Sequence, residues 1–111
     1  MKVIDLKSDM PPVMEAVQRL DQAIALARRQ QTSLLKVIHG YGSKGVGGDI
    51  RIAAQKRLRE LQEAGAIRGC IFGEEWSTTS EQVWTLVKAR PELKGDPDLG
   101  KRNLGITVVL L

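Results

Sequence analysis

Residues 37–51, VIHGYGSKGVGGDIR, constrain the fold more than any other stretch of the chain. Five glycines (Gly40, Gly42, Gly45, Gly47 and Gly48) separate an apolar run from a segment with helical spacing. A strand that passes through a glycine-rich loop into a helix belongs to α/β architectures, and such loops commonly cradle phosphate.

The remaining segments supply partners for this unit. Residues 2–6 (KVIDL) read as a short strand. Ser8 or Asp9 is expected to cap the next helix, with Pro11 and Pro12 in its first turn, where a missing N–H costs nothing. Val13, Val17, Leu20, Ile24 and Ala27 then form one helical stripe, ending near Gln30. Residues 34–39 (LLKVIH) are apolar almost throughout and are expected to be buried on both faces. Ile50, Ala54, Leu58 and Leu61 mark a second helix from about Asp49 to Ala64, with Gly65 as its stop. Residues 66–72 and 105–111 read as a third and a fourth strand, the last one central because of its β-branched density. Residues 74–103 interrupt the pattern, with a short helix capped by Thr79 or Ser80 and a turn-rich stretch after it. Right-handed crossovers place both long helices on one side of the first three strands. The expectation is one α/β domain over residues 1–111, a two-layer sandwich with a helical insert before its last strand.

Length and composition bound the function. The 111 residues suit one domain, and no apolar run approaches the roughly 18 residues of a membrane span. The first residues, MKVIDLKSD, read as a strand rather than a signal peptide, which makes the cytoplasm the expected compartment. Cys70 is the single cysteine, so neither an internal disulfide nor a cysteine-based zinc site is expected. The net charge is +4, and its placement is informative. Residues 31–73 carry seven Lys/Arg against three Asp/Glu, whereas the flanking segments are close to balance. Basic charge concentrated around a glycine loop points to a polyanionic partner; a solvated helix face is the competing reading.

Gly40, Gly42 and Gly45 fit the G-x-G-x-x-G dinucleotide fingerprint. The loop, however, follows the second strand of a small domain, the acidic residues near the ribose-binding offset (Glu60 and Glu63) fall inside a helix, and His39 abuts the glycines. No Gly-Lys-Ser/Thr triplet exists, which removes the Walker loop. No nucleotide cofactor is expected.

The run His39-Gly40-Tyr41-Gly42, closed by Ile50-Arg51, resembles the small MutS-related (Smr) domain family. Ile4-Asp5-Leu6 and the Glu15-Ala16 helix look like that family's opening strand and helix, and NLGITVVLL looks like its closing strand. The resemblance covers roughly residues 1–73 and 103–111. It implies a four-stranded mixed sheet in the order 1-2-4-3, strand four reversed, with both helices on one face, as in the C-terminal domain of translation initiation factor three. With that order, Asp5 to Lys7, His39 to Gly42 and Lys101 to Gly105 meet at one edge beside the start of the second helix. Lys7, Gly40, Tyr41, Gly42, Lys44, Arg51, Lys101 and Arg102 then become the expected nucleic-acid contacts.

The resemblance also implies DNA or RNA as partner and, in several branches, endonuclease activity supported by a divalent metal such as Mg2+ or Mn2+. On this chain the catalytic candidates are Asp5, orienting water or metal, and His39, as general acid or base. Where the family motif has a second histidine this chain has Lys7, a poor proton shuttle. Binding is thus expected with at most weak cleavage, and the alternative is a non-catalytic binding or ribosome-associated adaptor module. Plainer roles stand beside these: His39 as a strand-end hydrogen-bonding group, Asp5 as a turn cap, and Trp76 and Trp84 as anchors of the insert. The insert itself is expected to be a flap near the sheet's edge that screens the basic site, and a monomer suffices for all of this.

Overall fold

The computed structural model describes residues 1–42 and 46–111. Its elements in chain order are β1 (Lys2–Asp5), α1 (Val13–Arg29), β2 (Leu34–Ile38), α2 (Val46–Glu63), β3 (Gly69–Phe72), α3 (Glu81–Ala89) and β4 (Ile106–Leu110). Short 3-10 turns occupy Gly73–Glu75 and Pro91–Gly95. The sheet order is β1-β2-β4-β3, as the resemblance implied. β1 runs parallel to β2, with Lys2 opposite Leu35 and Asp5 opposite Ile38. β4 runs antiparallel to both neighbours, so Val108 faces Lys36 on one side and Ile71 on the other.

The period-two alternation of β2 and β4 divides their side chains between two cores. Leu35, Val37 and Val109 pack against Ala16, Leu20 and Ile24 of α1 and Ile50, Ala54 and Leu58 of α2. Both long helices therefore lie on one face, as expected. Leu34, Ile71, Ile106 and Val108 point the other way, onto Trp76, Val83, Val87 and Leu93. The segment expected to be a flap at the sheet's edge is instead a third layer across its second face. Of the two tryptophans expected to anchor it, Trp76 is fully buried, whereas Trp84 is 44% exposed and lies beside the Lys88 ammonium. Four full burials at about 1.5–3 kcal/mol each make this layer part of the core.

Local chemistry explains where the elements differ from expectation. α1 starts after Pro12, and no described side chain caps it. Asp9 and Met10 take positive φ, and Met10 N–H donates to Lys7 C=O, so Ser8 and Asp9 belong to a turn too far upstream to reach the free N–H groups. At the end of α2, Gly65 (φ +75°) donates to Gln62 C=O and Ala66 to Leu61 C=O, a Schellman closure. That bond occupies Ala66, and β3 begins only at Gly69 rather than at 66. At α3, Ser80 is the cap, its side chain accepting from Val83 N–H. Cys70 is half-buried on the two-helix face, where burial pushes its thiol pKa up. No described helix is long and apolar enough to cross a membrane.

Candidate nucleic-acid interface

The strand order brings four chain segments to one end of the sheet: the exits of β1, β2 and β3 and the entry to β4. Backbone hydrogen bonds tie them together. Leu6 N–H donates to Ile38 C=O at 2.8 Å, and the N–H groups of His39 and Gly40 both reach Gly105 C=O, at 2.9 and 3.0 Å. Packing is close enough to dictate glycine. A Cβ on Gly73 would land 1.7 Å from the Asn103 carbonyl oxygen, and one on Gly105 would come within 3.1 Å of Asn103 Oδ1.

His39 sits at the centre of this end and is fully buried. Its Nδ1 lies 2.7 Å from Gly40 C=O and its Nε2 2.9 Å from the Thr107 hydroxyl oxygen. A carbonyl only accepts, so Nδ1 carries the proton and Nε2 accepts from Thr107 in a neutral ring. Burial pushes the pKa below 6.5; the Gly40 carbonyl opposes this, and Arg51 and Glu74 pull in opposite directions. Asp5 is exposed, and its Oδ1 accepts from the N–H groups of Lys7 (2.8 Å) and Ser8 (3.0 Å), closing an Asx turn. Partial burial pushes its pKa up, but those two N–H groups and the Lys7 charge outweigh it and hold the carboxyl below 3.8. Asp5 and His39 thus share one end of the sheet, each engaged by its own partners. Lys7 is exposed on the same turn.

Arg51, in the second turn of α2, faces Glu74 across the end of β3, with Nη2 3.7 Å from Oε2. Among the described residues, Arg51 Nε, Glu74 Oε2 and Gln55 Nε2 are buried atoms without a hydrogen-bond partner. Tyr41, 56% exposed, forms an open cleft of about 390 Å³ with Asp98, Lys101, Arg102, Asn103 and Leu104. Arg102 holds φ +53°, a left-handed conformation rare for a side chain of its size. Gly40 and Gly42 also take positive φ, which explains glycine at both. The candidates Gly40, Tyr41, Gly42, Arg51, Lys101 and Arg102 therefore gather at one place, with Asp5 and Lys7 at the far edge strand. Lys44 lies outside the described residues.

A group that sequence reasoning missed organises this loop. Lys36, in the middle of β2, is buried, with its Nζ 2.5 Å from Asp96 Oδ1 and 2.6 Å from Asp98 Oδ2. Asp96 also accepts from Trp76 Nε1 at 2.9 Å, and Asp98 from Asn103 Nδ2 at 2.9 Å. Asn103 Oδ1 in turn accepts from Gly105 N–H at 2.8 Å. Burial pushes the Lys36 pKa down, yet the two aspartates more than reverse this and keep it charged above 10.5. The one signal in the sequence was a lysine inside an apolar strand. No three His, Cys, Asp or Glu side chains gather as metal ligands among the described residues.

No protein-family model matches the chain, and neither does any curated protein. Among solved structures, the Smr domain of Thermus thermophilus MutS2 matches 100% of this chain and 98% of that one, with a TM-score of 0.62 at 25% identity. The chain folds as an Smr domain. The match spans residues 74–103 as well, so the Smr likeness extends to the third layer that the motif-level resemblance left out.

Proposed function

We propose that this Smr-like domain binds nucleic acid through the loops at the His39 end of the sheet, as a binding module without cleavage chemistry of its own. The observation that carries this reading is the convergence of Tyr41, Lys101 and Arg102 on one cleft, with Arg51 beside it at the start of α2. Lys101, Arg102 and Arg51 supply charge for phosphate, the N–H groups of the first α2 turn add partial positive charge, and exposed Tyr41 offers a face to a base. Asp98 belongs to the same cleft, but its charge is met by Lys36.

Binding is favoured over hydrolysis by the state of the two catalytic candidates. A buried imidazole with both nitrogens engaged has no exposed lone pair for a water or a leaving oxygen. Asp5 spends Oδ1 on its own turn.

The test is fluorescence anisotropy with labelled RNA and DNA, single- and double-stranded, across a salt series. Binding that weakens with a log–log slope of roughly −0.9 per phosphate on duplex, or −0.7 on single strands, is expected. Salt-independent association, or none at low salt, overturns the proposal. Plasmid and RNA incubated with the protein and Mg2+ or Mn2+ are expected to stay intact; cleavage that Asp5→Asn abolishes would restore the nuclease reading.

A further inference from the structure

One side-chain amide spans the basic loop. Asn103 Nδ2 donates to Asp98 Oδ1 at 2.9 Å, and Asn103 Oδ1 accepts from Gly105 N–H at 2.8 Å. Both anchors are themselves held. Asp98 Oδ2 lies 2.6 Å from Lys36 Nζ on β2, and Gly105 C=O accepts from the N–H groups of His39 and Gly40, just before Tyr41. Lys101 and Arg102, both exposed, sit inside this span. We propose that Asn103 is a positioning residue for nucleic-acid binding: it keeps Lys101 and Arg102 ordered beside Tyr41, so that a phosphate backbone meets a loop already in shape. The proposal rests on the nucleic-acid reading above and names a residue that sets the affinity of that site.

The loop carries a conformational cost that its own charges do not repay. Arg102 holds φ +53°, and a strained backbone of this kind persists only where the surrounding bonds over-determine it. Among the described residues neither Lys101 nor Arg102 belongs to an ion pair, so neither charge stabilises the fold through a partner. The upstream half of the loop is fixed by backbone bonds, from Gly100 N–H to Trp76 C=O at 2.8 Å and from Lys101 N–H to Asp98 C=O at 3.1 Å. The Asn103 amide fixes the downstream half. A carboxylate only accepts and an N–H only donates, so both partners demand the amide in the same orientation. With the amide removed, Arg102 is free to leave the left-handed region, and binding must then order both cations at the cost of affinity. Asn103 borders the Tyr41 cleft itself, but each of its polar atoms already has a partner within the chain.

Anisotropy with the labelled RNA and DNA probes above tests it on the full chain, at the lowest salt of the series, where binding is strongest. Asn103→Ala leaves the charge unchanged and is expected to weaken binding about tenfold. Asn103→Ser is the milder variant. Its hydroxyl still reaches Gly105 N–H two residues on, as Ser77 reaches Thr79, but it no longer reaches Asp98. Severalfold weaker binding is expected, and this variant gives the answer if Asn103→Ala melts below the assay temperature. A purely structural role would not depend on the cations, so each variant is repeated in a Lys101→Ala/Arg102→Ala background. There, with Arg51 and the first turn of α2 still available to the probe, the loss is expected to shrink below about twofold. Undiminished affinity in the folded Asn103 variants, or an equal loss in both backgrounds, overturns the positioning role and leaves the binding reading standing. Absence of wild-type binding to every probe overturns that underlying reading instead.

Discussion

Gly40 and Thr107 between them engage both nitrogens of His39, and this turns the chain's only histidine from a reagent into a pH-sensitive brace. Its folded pKa is lowered, so the unfolded chain binds the proton more readily. The stability it contributes is present in full above 6.5 and is lost as pH falls from there through the folded value. Urea unfolding between pH 8 and 5 should show that loss in the wild type and a flatter profile in His39→Gln. His39→Ala should cost about 1–3 kcal/mol at neutral pH by orphaning buried hydrogen-bonding groups; an unchanged midpoint would contradict the assignment. A second residue-scale test concerns Gln31, which ends α1 at φ +57° and donates to Arg28 C=O, while Thr32 donates to Ala27 C=O. A side chain is strained there and glycine is not, so Gln31→Gly should raise stability by about 0.5–1 kcal/mol despite glycine's greater unfolded-state freedom. A lowered melting temperature would rule this out.

Among the elements, the segment between β3 and β4 departs furthest from its sequence reading. Its helix was legible from a cap at Thr79 or Ser80, of which the structure uses Ser80, but its position was not. Periodicity reports that a stripe is buried and not which surface buries it. The missing information lay in pairings between residues sixty apart in sequence, Lys36 with Asp96 and Asp98. Because both partners are largely out of solvent, Lys36→Met should destabilise the fold by about 3–5 kcal/mol, leaving two aspartates uncompensated. Calorimetry of that variant, beside one with residues 77–100 replaced by a Gly-Ser linker, checks the element as a whole. The linker variant should not fold cooperatively, since it uncovers Leu34, Ile71, Ile106 and Val108. A folded, soluble linker variant would return the segment to the status of a flap.

For the whole molecule, charge placement outweighs net charge. Four of the seven Lys/Arg within residues 31–73 lie on α2, beside all three of the acidic residues, and Arg51 is the one of the four that faces Glu74 at the gathered loops. Arg51→Ala should therefore flatten the salt dependence of nucleic-acid binding by about one unit of slope, whereas removing Arg59, which lies over the Phe72 ring, should leave it unchanged. Equal effects from the two would mean that binding follows overall charge rather than this site.

Apolar spacing and turn chemistry, which act over a few residues, were enough to find both long helices, all four strands and the Gly65 stop from sequence alone. The His-Gly-Tyr-Gly run and the closing strand resemble the Smr family, and it was that resemblance which implied the sheet order the structure shows. What each polar side chain does was decided only in three dimensions. His39 is sealed by Thr107, 68 residues away, and Asp98 is neutralised by Lys36 from another layer. Burial and pairing set the protonation and reach of such groups, and both depend on neighbours that local spacing does not encode.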